Sequence, residues 1–525
     1  MEFLPGKTVG IDLGTTFSTL AIVNNEGEPT PIPNEDDDVE TASIILLAGE
    51  KRIIVGPNRS RAAMEDPEHV VERIKRQMGA VGYHRTFDGQ EVTPEFVSSL
   101  ILRKLKQDCE NQLGDTIANA VITVPYYFND TRRKATQDAG KIAGLNVVSI
   151  INEPTAAALT YAWHRGELGR TEATKTRRIL IYDLGGGTFD STVVEYTGNN
   201  FHVVSTDGDV KLGGVDWNDR LADYVCQKFQ EKHGVNLHQF PKTMQILRND
   251  CDVAKIQLTT REQTSISVRH EGLSISVPVT RELFEELTYD LLQRTADTTE
   301  YVIQQANMKF SDLDAVVMIG GSTLMPQVAK MLERVTGLVP YRNDDLDPHT
   351  AVARGAAIHA AILEAQYNGG GNLDERVKKL LENVHEEDVN SHGLGVVATD
   401  PNTKQVVNYI MIPRNTTLPF SITKTFKTHK DAQTRISVQV MEGDAPDPTA
   451  CSFLGKCRIV GLPDNLPKGS LVDVTYSFDK TGRISVSARE KKTNTQAKIE
   501  IERRGVLTDE ELQNFIRLAD QYTIE

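Results

Sequence analysis

Two stretches of the chain, 170 residues apart, repeat one arrangement of apolar, small and acidic positions. The first is Val9-Gly-Ile-Asp-Leu-Gly-Thr-Thr-Phe-Ser-Thr-Leu-Ala-Ile-Val23; the second is Ile179-Leu-Ile-Tyr-Asp-Leu-Gly-Gly-Gly-Thr-Phe-Asp-Ser-Thr-Val-Val194. Each reads as an apolar strand, Asp-Leu-Gly, a Gly/Thr turn and a second β-branched strand. A hairpin repeated at that distance predicts two related lobes. Between and after the hairpins, strands alternate with helical stretches. Ala120-Val-Ile-Thr-Val124 stops at Pro125, and 130–143 carries the period of the helix that follows. Asp314-Ala-Val-Val-Met-Ile319 runs into Gly320-Gly-Ser-Thr323, and 351–366 is an alanine-rich helix. This alternation predicts α/β lobes with mixed sheets.

The pattern then changes. Asn368-Gly-Gly-Gly-Asn372 is a flexible break, 374–384 reads as a short charged helix, and His385-Glu-Glu-Asp388 follows it. From 393 to 504 the apolar positions alternate with period two between turns, as in Arg435-Ile-Ser-Val-Gln-Val440 and Gly482-Arg-Ile-Ser-Val-Ser487. That is the signature of an all-β sandwich. Thr508-Asp-Glu-Glu511 is a capping box that opens a last helix. The expected organisation is a two-lobed α/β domain over 1–367, a linker over 368–392, a β-sandwich over 393–505 and a short helix over 506–525.

A length of 525 residues accommodates these units, and 39% apolar with 25% charged residues excludes disorder or coiled coil for most of it. A formal net charge of −15 argues against a duplex-binding protein. Cys109, Cys226, Cys251, Cys451 and Cys457 form no CxxC pair, so neither a disulfide framework nor a structural zinc site is expected. No basic leader with an apolar stretch opens the sequence, and no apolar run reaches the ~20 residues of a membrane span. The expectation is a cytoplasmic protein with no nucleic-acid or membrane partner.

Glycine beside threonine after a buried strand suits phosphate, because backbone N–H groups approach anionic oxygens closely only where no Cβ intervenes. Gly14-Thr15-Thr16 and Gly185-Gly186-Gly187-Thr188 are two such turns, able to clasp phosphates from both sides. Asp12 and Asp183, at the strand ends, are placed to hold a hydrated Mg²⁺. One such turn alone reads better as a plain β-turn; two with matching aspartates, plus the later Gly320-Gly321-Ser322-Thr323, point to a nucleotide.

These residues resemble the seventy-kilodalton heat-shock chaperones of the DnaK type over nearly the whole chain. The matching motifs are Gly10-Ile-Asp-Leu-Gly-Thr-Thr16, Val124-Pro-Tyr-Tyr-Phe-Asn-Asp130, Ile151-Asn-Glu-Pro-Thr-Ala-Ala-Ala158, Asp183-Leu-Gly-Gly-Gly-Thr-Phe-Asp190, Gly213-Gly214 and Gly320-Gly-Ser-Thr323. Ile412-Pro-Arg-Asn-Thr-Thr417 and Gly482-Arg-Ile-Ser-Val-Ser-Ala488 match that family's peptide-binding β-domain.

The resemblance implies an actin-like ATPase followed by a β-sandwich that binds unfolded or extended polypeptides under slow ATP hydrolysis. It implies ATP or ADP with Mg²⁺, potassium as a further ion, and a J-domain co-chaperone and a nucleotide-exchange factor as partners. By position, Lys75 orients the attacking water, Glu153, Thr188 and Asp183 complete the hydrolytic pocket, and Asp190 joins Asp12 and Asp183 in the metal set. Phe17, Gly213, Gly214, Asp252, Lys255 and Thr259 fall at nucleotide positions. Lys75 by its local sequence alone reads as a solvated lysine. Two family arginines at the adenine are replaced by Ile256 and Leu324, and His349 stands where the family has an acid. Ser149 replaces an arginine used in co-chaperone coupling.

In the β-domain, Val396, Phe426, Ile436 and Val438 match the peptide pocket, and Thr399, Thr428 and His429 the arch over it. For Phe426 and Val438 a place in the sandwich core is an equal reading. Only about one helix fits after Thr508, where the family has a long helical lid. Before the β-domain the family has leucines, whereas His385-Glu-Glu387 stands here, so an undocked, weakly coupled linker is expected. The alternative is docking through Leu380, Leu381 and Val384. Two other function classes stay open: an ATPase whose peptide-binding domain is uncoupled from it, and a small-molecule kinase of the same superfamily.

Overall fold

The computed structural model describes residues 2–56, 69–80, 82–169, 175–341, 346–371, 373–400, 403–428, 430–432, 436–460, 466–479, 483–492, 494, 496–503 and 506–525. The first lobe is built on a mixed sheet in the order Asn146–Asn152, Ile117–Val124, Lys7–Asp12, Phe17–Val23, Pro29–Pro31. Lys7–Asp12 runs parallel to Ile117–Val124 and antiparallel to Phe17–Val23. Strand alternation sends Val9, Ile11, Ala120 and Ile122 to a core shared with helices Pro94–Leu113 and Asp130–Ile142. Val121 and Gly10 face the other way, toward helix Ala351–Tyr367. A Cβ on Gly10 would lie 2.1 Å from the backbone of Ala357, which explains the small residues on both elements.

The second lobe repeats the plan. Arg177–Leu184 lies between Ala315–Ile319, parallel, and Phe189–Thr197, antiparallel, and Asn200–Asp209 follows. Ile179 and Ile181 face the alanine-rich helices, and Leu180, Tyr182 and Leu184 the helices of the outer subdomain. Helices Glu153–His164 and Ala351–Tyr367 cross between the lobes, Gly355 lying against the backbone of Ala156. The two sheets therefore open toward a shared cleft.

Eight strands form the β-domain, in the spatial order Val406–Ile412, Leu394–Thr399, Ile436–Glu442, Ser452–Val460, Gln496–Arg503, Ile484–Glu490, Leu471–Phe478, Phe420–Lys427. The strip folds on itself around Leu394, Val396, Ile412, Val440, Val472, Val474 and Tyr476.

The acidic linker is docked, which corrects the expectation drawn from His385-Glu-Glu387. Helix Glu375–Leu381 buries Val377 and Leu381, and Val384 and Val389 join the same core between the lobes. His385–Glu387 then adds to the second lobe as a parallel strand beside Asn200–Asp209. Strand pairing uses backbone groups, so the acidic side chains need not be buried as leucines are. Glu386 turns to His359, with its carboxylate 2.9 Å from Nδ1, and His359 Nε2 lies 3.2 Å from Ser149 Oγ.

The last helix, Asp509–Ala519, packs on the first lobe through Leu512, Leu518 and Ala519, with the Phe515 and Tyr522 rings against Phe96. Thr523–Ile524 continues as a strand parallel to Arg52–Val55, an element the sequence pattern does not announce.

Candidate functional site

A cleft of about 950 Å³, open to solvent at its mouth, separates the lobes and is walled by the two hairpin turns. Each turn is fixed by its own strand ladder. Asp12 sits opposite Thr19, and Asp183 opposite Asp190. Gly14 N–H donates to Ser18 Oγ at 3.1 Å, and Gly185 N–H donates to the Thr188 carbonyl at 3.0 Å. The turns meet across the cleft. A Cβ on Gly186 would stand 2.0 Å from Thr16 Oγ1, and one on Gly187 2.4 Å from Thr15 Cγ2. Gly213 packs on Gly187 in the same way and caps helix Gly214–His233, whose first N–H groups hold the second turn: Gly214 donates to the Gly185 carbonyl at 3.0 Å and Val215 to the Gly186 carbonyl at 2.8 Å. The two turns thus bare backbone on both sides of the cleft, as an anionic chain of phosphates requires.

Lys75 is 4% exposed, so its reading as a solvated lysine is corrected. It lies on a single 3₁₀ turn, Ile74–Gln77, that drives Nζ into the cleft, 2.5 Å from Glu153 Oε1. The next residue, Arg76, clasps the lobes together: Nε donates to the Gly187 carbonyl at 2.9 Å and the guanidinium pairs with Asp216 at 2.6 Å. Thr123 Oγ1 donates to Asp12 Oδ1 at 2.9 Å.

Three buried carboxyls, Glu153, Asp183 and Asp190, and the half-buried Asp12 surround Lys75. Burial raises Asp12, an effect that Lys75 opposes, and burial together with Glu153, Asp190 and Asp12 raises Asp183 well above the ordinary range. Burial pushes both Glu153 and Asp190 up to about 7. For Lys75, burial acts downward, but Glu153, Asp12 and Asp183 together outweigh it and raise the ammonium. The site lacks positive charge, and a divalent cation would restore the balance. Among the described residues no three acidic, histidine or cysteine groups stand close enough to ligate an ion directly. Hard oxygen donors that need bridging water fit Mg²⁺, which keeps several waters when bound.

Most of the expected nucleotide residues line this cleft: Asp12, Gly14, Thr15, Thr16, Phe17, Lys75, Glu153, Asp183, Gly185, Gly186, Thr188, Asp252, Lys255, Gly320, Gly321 and Ser322. Asp252 and Lys255 form a 2.9 Å ion pair, and Lys255 Nζ donates to the Gly214 carbonyl at 3.2 Å. Gly187, Gly213 and Gly214 do not line it, and neither do Thr259 and Asp190. Thr259 donates to the Ile256 carbonyl at 2.6 Å, closing its own helix turn. Asp190 lies behind the wall, where Oδ2 accepts the Tyr126 N–H at 2.9 Å and Oδ1 is buried without a partner. Ile256 is on the cleft edge and 57% exposed, while Leu324 is 48% exposed and off the wall. Glu40 and Arg76 were not anticipated: the run Glu35-Asp-Asp-Asp-Val-Glu40 reads as solvated charge, and nothing local to Arg76 marks its partner Asp216.

The β-domain is different. Val396 is in the sandwich core with Leu394 and Val440, so it offers no surface to a peptide. Phe426 is half-buried against that core. Thr428 locks a loop, its hydroxyl donating to the Pro467 carbonyl and accepting the Ser470 N–H, each at 3.0 Å. Ile436 and Val438 pair by backbone with Ile459 and Cys457, and Thr399 with Val406. The side chains of Thr399, Ile436 and Val438, and all of His429, lie outside the described residues.

The domains touch through defined contacts. Tyr126 OH donates to the Val389 carbonyl at 2.6 Å and accepts the Val389 N–H at 2.8 Å. Asp388 accepts from Asn152 and Thr155, and Arg414 of the β-domain pairs with Asp207 at 3.3 Å.

The family model described as Hsp70 protein matches residues 8–88 and 80–525. Among curated proteins the chain is similar to the chaperone protein DnaK of Thermotoga neapolitana, 36% identical over 522 residues, covering 98% of this chain and 83% of the relative. The DnaK chaperones of Thermotoga petrophila and Thermotoga maritima match at the same identity and coverage. No helix among the described residues is long and apolar enough to cross a membrane.

Proposed function

The chain belongs to the Hsp70 family and is an ATP-dependent molecular chaperone with a weak ATPase, and from that premise we propose which of its residues do the work. The cleft holds ATP or ADP, with phosphates between the Gly14–Thr16 and Gly185–Thr188 turns and the nucleoside toward Asp252, Lys255 and Ile256. Asp12 and Asp183 would hold a hydrated Mg²⁺, which would supply neutralisation of phosphate charge. Lys75 orients the attacking water, and Glu153 holds Lys75 in place. Thr188 adds a hydroxyl beside the same phosphate. The orphaned Oδ1 of Asp190 is the acceptor we assign to potassium. The observation that carries this reading is the buried Lys75–Glu153 pair, set where two glycine turns touch.

In this reading the ATPase domain spans 1–367, the segment 368–392 is a docked linker, and 393–505 is the peptide-binding domain for extended, apolar-rich polypeptides. Asp388, Tyr126 and Val389 give a J-domain partner or an exchange factor a joint to act on. The buried, unpaired thiols of Cys109, Cys226 and Cys251 suit a reducing compartment such as the cytoplasm. The test is ATP turnover with and without Mg²⁺, and with and without an unfolded peptide. Slow hydrolysis that needs the ion and rises with peptide is expected; turnover indifferent to both would overturn the assignment.

A further inference from the structure

His349 and Glu40 face each other inside the nucleotide cleft, and no role assigned so far uses them. Both line the cavity. His349 precedes helix Ala351–Tyr367, whereas Glu40 follows the first lobe's hairpin, so two distant segments supply the pair. Glu40 Oε1 is 3.1 Å from His349 Nδ1. The backbone N–H of His349 is also fixed, donating to Asp347 Oδ1 at 3.1 Å. The ring packs against the turn that closes the cleft: a Cβ on Gly321 would come within 2.7 Å of His349 Cε1. A side chain at 321 is therefore excluded so that the imidazole can lie there.

With Nδ1 committed to Glu40, the remaining polar atom of the ring is Nε2, which has no hydrogen-bond partner among the described residues. The side chain is 31% exposed, and that exposure opens to the cleft and its mouth. Glu40 leads directly into Thr41–Ala42, which pairs with Phe17 and Ser18, and Ser43 N–H donates to the Thr16 carbonyl at 2.8 Å, so the pair stands beside the Gly14–Thr16 turn, at the phosphate end of the cleft. A carboxylate behind a histidine fixes ring orientation and favours the imidazolium, whose second N–H is a charge-assisted donor to an anion.

We propose that Glu40 and His349 form a phosphate-recognition pair, in which Glu40 holds Nδ1–H and His349 presents Nε2–H to a phosphate oxygen of the bound nucleotide. This rests on reading the cleft as the ATP site. It makes His349 a binding residue and Glu40 its positioning residue. The hydrogen bond from Glu40 raises His349 above the usual histidine range, against the effect of burial, and Asp347 and Asp38 act in the same upward direction. Below that raised value the ring is a donor at both nitrogens. Above it, with the remaining proton on Nδ1, Nε2 turns a lone pair toward the phosphates. Nucleotide affinity through this contact is present at low pH and is lost as pH rises through the raised imidazole value.

Isothermal titration calorimetry of the full chain against Mg-ADP and adenosine, between pH 6 and 9, tests this. His349→Gln should bind ADP about ten- to fifty-fold more weakly at pH 6 to 7, the size of one charged hydrogen bond. Adenosine, which has no phosphate, should bind the variant and the parent alike. The parent's ADP affinity should fall more steeply with pH than the variant's. Glu40→Gln, a substitution on a separate segment, should move that fall to lower pH without abolishing binding. Circular dichroism checks each fold. Equal ADP affinity in parent and His349→Gln across the range would overturn the pair while leaving the nucleotide site standing, as would an equal loss for adenosine. A parent that binds neither ligand would overturn the nucleotide reading and this one with it.

Discussion

The nucleotide cleft is walled by bare backbone and buried charge; the β-domain is walled by apolar side chains. In the cleft, Gly186 and Gly187 sit so close to Thr16 and Thr15 that no Cβ fits, and one lysine serves several carboxyls. In the β-domain, Val396 shares its environment with Val440 and Val472 and with the rest of the sandwich interior. A phosphate site needs things a core does not: missing side chains, helix N-termini, uncompensated charge. A peptide groove needs what a core also needs, and the two differ only in which face a strand presents. Residue type alone therefore tells function from packing in the cleft, and in the β-domain it does not.

The largest effect should come from removing Lys75. Lys75→Ala should lower single-turnover ATP hydrolysis by about a hundred- to a thousand-fold, the usual size for losing one oriented electrostatic group. ADP affinity, measured by calorimetry, should change far less. Equal losses in both would mean that Lys75 supports packing, and the contrast would fail.

Closing the cradle comes next. Gly186→Val puts a branched side chain where Thr16 Oγ1 already lies, so the turns must part. Nucleotide affinity should drop about ten- to a hundred-fold while unfolding stability falls by only about 1–3 kcal/mol. An undiminished affinity would show that the two turns do not act together.

In the β-domain the order should reverse. Val396→Ala should cost about 2 kcal/mol of stability in a denaturant titration, with peptide affinity of the folded protein unchanged. Ile436→Asp should instead abolish binding of a fluorescent apolar peptide while basal ATP turnover persists. If Val396→Ala weakened peptide binding and not stability, its place in the core would be wrong.

The smallest effect concerns the linker. Burial lowers His359, but Glu386 and Asp388 more than compensate, so the imidazole is raised when the linker is docked. Burial raises Asp388 to about 6, against the Thr155 hydrogen bond. Both shifts have one sign. Docking gains stability below the free-state values and loses it as pH rises through the docked ones, so hydrogen exchange at 385–387 should quicken from pH 6 to 8. Glu386→Gln should flatten that slope, by about 1 kcal/mol or less.

The aspartate-tipped strands and glycine turns were legible because each carries its own local chemistry. Lys75 was legible only as part of a motif, since its burial depends on Glu153, 78 residues away. Docking of the linker helix was legible in Leu380, Leu381 and Val384, of which Leu381 and Val384 enter the core and Leu380 is partly buried against it, while Val377 was missed. The docking of His385–Glu387 was not, because a parallel pairing is made by peptide groups and leaves no trace in side-chain polarity. Thr523–Ile524 is too short to show any period. Glu40 was hidden in an acidic run whose purpose depends on His349, 309 positions later.

The β-domain is a loop of about 120 residues between two anchored points, Val389 on the alanine-rich core and Thr508 at the start of the helix seated on Phe96. A domain hung from one tether explores a sphere; one hung from two swings like a gate. Letting go of either point leaves the domain at a high local concentration near its seat, because the other still holds it. Rebinding is then a matter of short-range closure, whose entropic cost grows only slowly with loop length. A single peptide-bond cut near residue 370 would leave the two parts travelling together, held by Arg52 and Glu525, Arg103 and the Ala519 carbonyl, and the rings around Phe96.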